Sequence, residues 1–153
     1  MRLRNFLAIP VLALTAGIAL AQTSNSARLS IWDGVYTPAQ AERGHTLYMQ
    51  SCSRCHGAEL SGNFETPPLT GRFMPYWSGS TLDALFDYVS TAMPLDHPGA
   101  LGAGANADIV AFLLKANGFP AGAKEFGSTS EAQKTISFDA VRPMPQKKRA
   151  KAR

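Results

Sequence analysis

A five-residue motif, Cys52-Ser53-Arg54-Cys55-His56, constrains this chain more than any other feature. Its two cysteines are the only ones in 153 residues. A disulfide closing so short a loop would organise little of a chain this long, so the pair reads as chemistry rather than scaffold. C-x-x-C-H is the attachment signature of c-type haem. Each thiol adds to one vinyl group of the macrocycle, and two intervening residues span the distance between the vinyls. The histidine that follows then falls beneath the iron as a nitrogen ligand. Three other readings compete. A redox dithiol calls for a βαβ surrounding, which the flanks do not suggest. A structural zinc site needs four nitrogen or sulfur ligands. Cys52, Cys55 and His56 give three, with His45 and His97 left for the fourth. An ordinary disulfide suits an exported chain.

Export is expected from the first residues. Arg2 and Arg4 precede an apolar run from Phe6 to Leu20, and Ala19-Leu20-Ala21 supplies small residues at a cleavage site. Residues 1–21 therefore read as a signal peptide, with Gln22 as the new N-terminus. The alternative is a retained anchor, but the run is shorter than the roughly 20 apolar residues of a span and contains Pro10. Either way the remainder is expected outside the cytoplasm, in the periplasm, where bacterial c-type haem is attached.

The formal net charge of +4 misleads. Five positive charges crowd into Lys147–Arg153, whereas residues 22–146 hold eight Lys plus Arg against eleven Asp plus Glu. No basic stripe crosses the folded part, which argues against nucleic-acid binding. The basic end reads as a solvated tail, with contact to a membrane surface or an acidic partner as the alternative.

The mature chain divides into a leader segment (22–36), a central domain (37–120) and an extension (121–153) with a disordered basic end. Thr37, Pro38 and Gln40 form an N-terminal signal, with Gln40 closing a capping box. Ala41, Gly44, Tyr48 and Cys52 then share one helical face running into the cysteine motif. Residues 57–79 carry glycine and proline with no helical or strand period. A second helix is expected from about Thr81 to Ala92, capped by Ser80 or Thr81, with Leu82, Leu85, Phe86 and Val89 on its buried face. Pro94 stops it. A third begins near Asn106, buries Ile109, Phe112, Leu113 and Ala116, and ends at Gly118 before Pro120. No strand is convincing. Three short helices make a thin core, which a large apolar cofactor at its centre would complete.

The chain resembles the class I c-type cytochromes, and among them the small single-haem cytochromes linked to bacterial periplasmic dehydrogenases. The resemblance rests on WDGVYTPAQAERGHTLYMQSCSRCHGAELSG, Pro67-Pro68-Leu69, Met93-Pro94 and ADIVAFLLKANGFP, together spanning roughly residues 32–120. It implies an all-α fold, the small cytochrome c fold, with three main helices and long loops wrapped around one covalently attached haem c.

The resemblance also implies a methionine distal ligand in the loop between the last two helices. Met93 matches that place; Met74 and His97 are the alternatives, with Met74 reading as core filling. A metal-bound histidine usually donates its second ring N–H to a carbonyl or carboxylate. In the family this acceptor is the carbonyl of the first proline in a P-x-L segment, here Pro67; a plain proline turn is the other reading. Trp77, ahead of Tyr76 and Arg72, is the candidate to meet the haem propionates. Gly44 and Tyr48 resemble the glycine–aromatic pair at which the first helix crosses the last. His45 is expected on the solvent side. The segment 99–105 is richer in glycine and alanine than the family leads one to expect, which would loosen the loop carrying Met93.

The metal ligands are thus expected to be His56 and Met93, and the haem contacts Cys52, Cys55, His56, Met93, Pro67 and Trp77. His/Met ligation closes both axial positions and raises the reduction potential relative to bis-nitrogen ligation. The function implied is electron transfer without catalysis, from a dehydrogenase toward a terminal oxidase. Two rivals remain: a fixed haem subunit of a membrane-bound dehydrogenase complex, and a haem sensor or peroxidase-like enzyme with a labile distal ligand.

Overall fold

The computed structural model describes residues 28–142. The expected signal peptide (1–21) and basic tail lie outside the described residues. Six helices and three very short strands follow one another: β1 (Leu29–Ser30), α1 (Pro38–Ser51), α2 (Ser53–His56), α3 (Phe73–Tyr76), β2 (Ser80–Thr81), α4 (Leu82–Ala92), α5 (Ala103–Ala116), α6 (Ser130–Gln133) and β3 (Ile136–Phe138). A 3-10 turn at Ile31–Asp33 follows β1. Among the described residues, no helix is long and apolar enough to cross a membrane.

Helix α1 starts where its signal predicts. Thr37 Oγ1 accepts the Gln40 N–H at 3.0 Å, and Pro38 takes the first helical position. The capping box does not form: the Gln40 side chain instead reaches inward and donates to the Phe126 carbonyl at 3.3 Å. Tertiary burial of Gln40 outweighs the local cap. Helix α4 buries Leu82, Leu85, Phe86 and Val89, the face expected from its period. Its cap residue Thr81 turns its hydroxyl to the Asp83 carboxylate, so no side chain caps the helix.

Helix α5 departs most from expectation. It begins at Ala103, and it buries Val110, Ala111 and Leu114 in addition to Ile109, Phe112 and Leu113, while Ala116 is exposed. A helix apolar on every side is a central helix. Gly44 on α1 has no room for a side chain there: an added Cβ would stand 1.8 Å from the Asp108 carbonyl oxygen and 2.9 Å from Phe112 Cβ. The missing Cβ is what lets the two backbones cross so closely. The Tyr48 and Phe112 rings then meet at 5.1 Å.

Helix α4 also packs against α5, and the chain ends complete the core, with α6 and β3 against α4. Val35, Tyr36, Phe119, Phe126, Ile136 and Phe138 all belong to the buried core. Tyr36 donates its hydroxyl to the Phe119 carbonyl at 2.6 Å, and Trp32 Nε1 donates to the Asp139 carbonyl at 2.7 Å. No strand was expected, yet β3 lies between β1, in parallel, and β2, antiparallel. Residues 121–142, weakly patterned as sequence, thus gain α6 and a sheet that ties the leader to the start of α4.

Candidate functional site

Helix α1 delivers Cys52 to its C-terminus, and α2 continues as a single turn carrying Cys55 and His56. Both thiols are free, Cys52 partly buried and Cys55 exposed. Burial, and after it the neighbouring Cys55, push the Cys52 thiol up to about 11. Flanking helices rather than a βαβ unit surround the pair. Among the described residues, no three His, Cys, Asp or Glu side chains gather where a metal ion would sit, so a zinc cage has no geometric support.

His56 Nδ1 lies 3.1 Å from the Pro67 carbonyl oxygen. A carbonyl only accepts, so this contact calls for the ring proton on Nδ1, the tautomer in which the neutral ring keeps a lone pair on Nε2 for a metal. The loop that presents Pro67 is held by several bonds that the sequence does not announce. Gly62 N–H donates to the His56 carbonyl at 2.8 Å, and Leu69 N–H to the Leu60 carbonyl at 2.9 Å. Gly62 has φ +65°, and a Cβ there would strike Thr66 O at 2.2 Å and the Pro67 carbonyl carbon at 2.7 Å. Asn63 binds both sides: its Nδ2 donates to the Cys55 carbonyl at 3.3 Å, and its Oδ1 accepts Glu65 and Thr66 N–H at 2.8 Å. Asn117 Nδ2 donates to the Leu69 carbonyl at 2.9 Å, anchoring the loop to the end of α5. Asn63 and Asn117 escaped the sequence reading. Asn63 sits two residues before the N–H it binds, an Asx-turn signal; Asn117 carried none beyond its place after α5.

Met93 caps α4. It is partly buried and extended at φ −121°, and its N–H donates to the Val89 carbonyl at 3.3 Å. Met74 lies in the core at 3 % exposure, as core filling requires, and His97 is an exposed loop residue. His45 is half-buried, its ring 5.0 Å from that of Phe112, rather than fully on the solvent side.

Trp77 stands among Phe73, Tyr76 and Tyr88, with ring centroids 5.3 to 6.2 Å away. Its Nε1 is buried and finds no acceptor among the described residues. A buried donor without a partner in the protein is open to an acceptor from ordered water or a bound group. Tyr76 is largely exposed and Arg72 lies on the surface. Two free thiols, an imidazole with Nε2 open, a thioether and an orphaned indole N–H make a donor set that fits a covalently attached haem.

Residues 39–113 match the family model described as cytochrome C oxidase, cbb3-type, subunit III. Over this stretch the chain is similar to a c-type cytochrome domain. No curated protein matches the chain significantly. Among solved structures, the crystal structure of the sulfane dehydrogenase SoxCD from Paracoccus pantotrophus is similar at 23% identity with a TM-score of 0.48, over 79% of this chain and 68% of that one. The matched stretch begins inside α1 and ends inside α5, so it contains Cys52, Cys55, His56, Pro67, Trp77 and Met93.

Proposed function

We propose that the protein is a periplasmic single-haem electron carrier with His56 and Met93 as axial ligands, passing electrons from a dehydrogenase toward a terminal oxidase. The observation that carries the reading is the 3.1 Å contact of His56 Nδ1 with the Pro67 carbonyl, one residue from the free thiol of Cys55. Haem c, when bound, supplies an Fe(III)/Fe(II) couple that takes up and releases one electron.

The chain's own residues do the rest. Cys52 and Cys55 hold the macrocycle, and Pro67 fixes the orientation and tautomer of His56. Met93 offers a soft sulfur at the end of α4, and Trp77 offers its N–H to a propionate. If His56 and Met93 both ligated the iron, no open site for oxygen or peroxide would remain, which favours a carrier over an enzyme. Export follows from residues 1–21 read as a removed signal peptide.

A second reading, a fixed subunit of a membrane-bound complex, takes support from the family description, which names an oxidase subunit. The two differ in mobility and not in chemistry. Cell fractionation with the mass of the mature chain separates them: a soluble product starting at Gln22 marks the carrier, an intact membrane-bound chain the subunit.

The test of ligation is the visible and near-infrared spectrum of oxidised and reduced protein beside Met93→Ala. The reading predicts a c-type spectrum with the weak sulfur-to-ferric-iron band, lost in Met93→Ala. A band absent from wild type, or unchanged in the variant, removes Met93 as ligand. Ready carbon monoxide binding by reduced wild type favours the sensor or peroxidase reading.

A further inference from the structure

The segment after Met93 is poorly anchored. Residues 95–100 are exposed, and their backbone bonds stay local: His97 N–H to Pro94 O at 3.0 Å, Gly99 N–H to Met93 O at 3.3 Å and Ala100 N–H to His97 O at 3.1 Å. Among the described residues, a single polar contact leaves residues 94–100 for another segment, the ion pair between Asp96 and Arg54. Arg54 is the second of the two residues between the motif cysteines. The pair therefore spans from the turn that carries His56 to the loop that follows Met93. Both side chains are largely solvent-exposed, so the bridge lies on the surface.

We propose that Arg54 and Asp96 form a latch that holds the 94–100 loop against the cysteine turn and so sets how easily the Met93 ligand is displaced. The proposal rests on the reading of Met93 as the distal ligand. Both residues act as positioning residues. They stay outside the iron's coordination and act on the excursion of the loop that frees the sulfur. A surface ion pair of this kind biases a local equilibrium by only about two- to fivefold, and added salt screens it. Such a bias suits a hold that must resist intrusion without adding to global stability.

The test is imidazole binding to ferric holoprotein, with amide hydrogen exchange of the reduced protein beside it. The variants are Arg54→Gln, Asp96→Asn and the charge swap Arg54→Asp with Asp96→Arg. Each single variant is expected to bind imidazole about two- to fivefold more tightly than wild type, and the swap to return toward wild type. High salt should tighten binding to wild type and leave the single variants unchanged. Exchange at His97, Gly99 and Ala100 should quicken in the single variants while the melting temperature holds. Met93→Ala serves as control. If it shifts imidazole affinity and Arg54→Gln does not, the latch is overturned. If Met93→Ala leaves the affinity unchanged, the ligand assignment fails and the control of Met93 displacement is overturned with it; exchange then decides only the hold on the loop, which faster exchange in Arg54→Gln supports and unchanged exchange overturns.

Discussion

The Tyr48 hydroxyl donates to the Gly57 carbonyl across 2.6 Å, joining helix α1 to the residue that follows His56. The ring behind that hydroxyl packs on Phe112, so one side chain serves both the α1–α5 crossing and the cysteine turn. Tyr48→Phe keeps the packing and removes one of the two bonds that the Gly57 carbonyl accepts, leaving the one from Leu60 N–H at 3.2 Å. The expected loss is about 1 kcal/mol in urea unfolding of the haem-loaded protein. An unchanged midpoint would mean that water replaces the bond at no cost.

Gly44→Ala should be among the most damaging single changes. The new methyl would sit 1.8 Å from the Asp108 carbonyl oxygen, so α1 and α5 must part. Overpacking against backbone is expected to cost about 3 kcal/mol, read as a fall in melting temperature. Ala41→Gly, on the same face, provides the comparison: it removes one buried methyl where Gly44→Ala inserts one, so a smaller loss there marks the clash rather than the helix as the cause.

Acid stability should depend on Arg43. Its guanidinium binds Asp108 and Glu125, each at 2.9 Å. Arg43, and after it Thr37, hold the Glu125 carboxyl below its usual 4.5. A depressed carboxylate pKa contributes stability that is present above the unfolded value and lost as pH falls through the folded one. Melting temperature should therefore drop as pH falls below 4.5 toward the depressed Glu125 value, and Arg43→Gln should flatten that limb. A variant with the wild-type slope would place the acid sensitivity elsewhere.

Trp77→Phe should matter in the loaded protein out of proportion to the lost ring area. The buried Nε1 has no acceptor among the described residues, and a haem propionate is the acceptor proposed. A hydrogen bond to a charged partner contributes about 1.5 to 3 kcal/mol, so a destabilisation of that order is expected in guanidinium unfolding. A loss near zero would mean the indole N–H never meets the propionate.

What could be read in the sequence followed from distance along the chain. Cys52, Cys55 and His56 declare themselves because five consecutive residues carry the whole pattern. Helix α4 was legible because its apolar face and the proline after Met93 are local. The Pro67 carbonyl is a different case, since a backbone oxygen has no letter of its own. It was reached through resemblance, whereas the bonds presenting it run through Gly62, Asn63 and Asn117. Strands of two or three residues are too short to show alternation, so Leu29 and Ile136, paired across the length of the fold, gave no signal. Helix α5 reads as one-sided because a helical period does not reveal that two helices, α1 and α4, pack against it. Gln40 went the same way: its local capping signal was sound, but burial against Phe126 took its side chain.

The central claim is that the cysteine motif carries one covalently bound haem. The most direct measurement is the denatured mass of the purified protein, with the same measurement on Cys52→Ser/Cys55→Ser. The account predicts a chain heavier by the mass of one haem, with colour that survives acid–acetone extraction, and neither property in the double variant. A chain of unmodified mass, from cells competent to attach c-type haem, would contradict it.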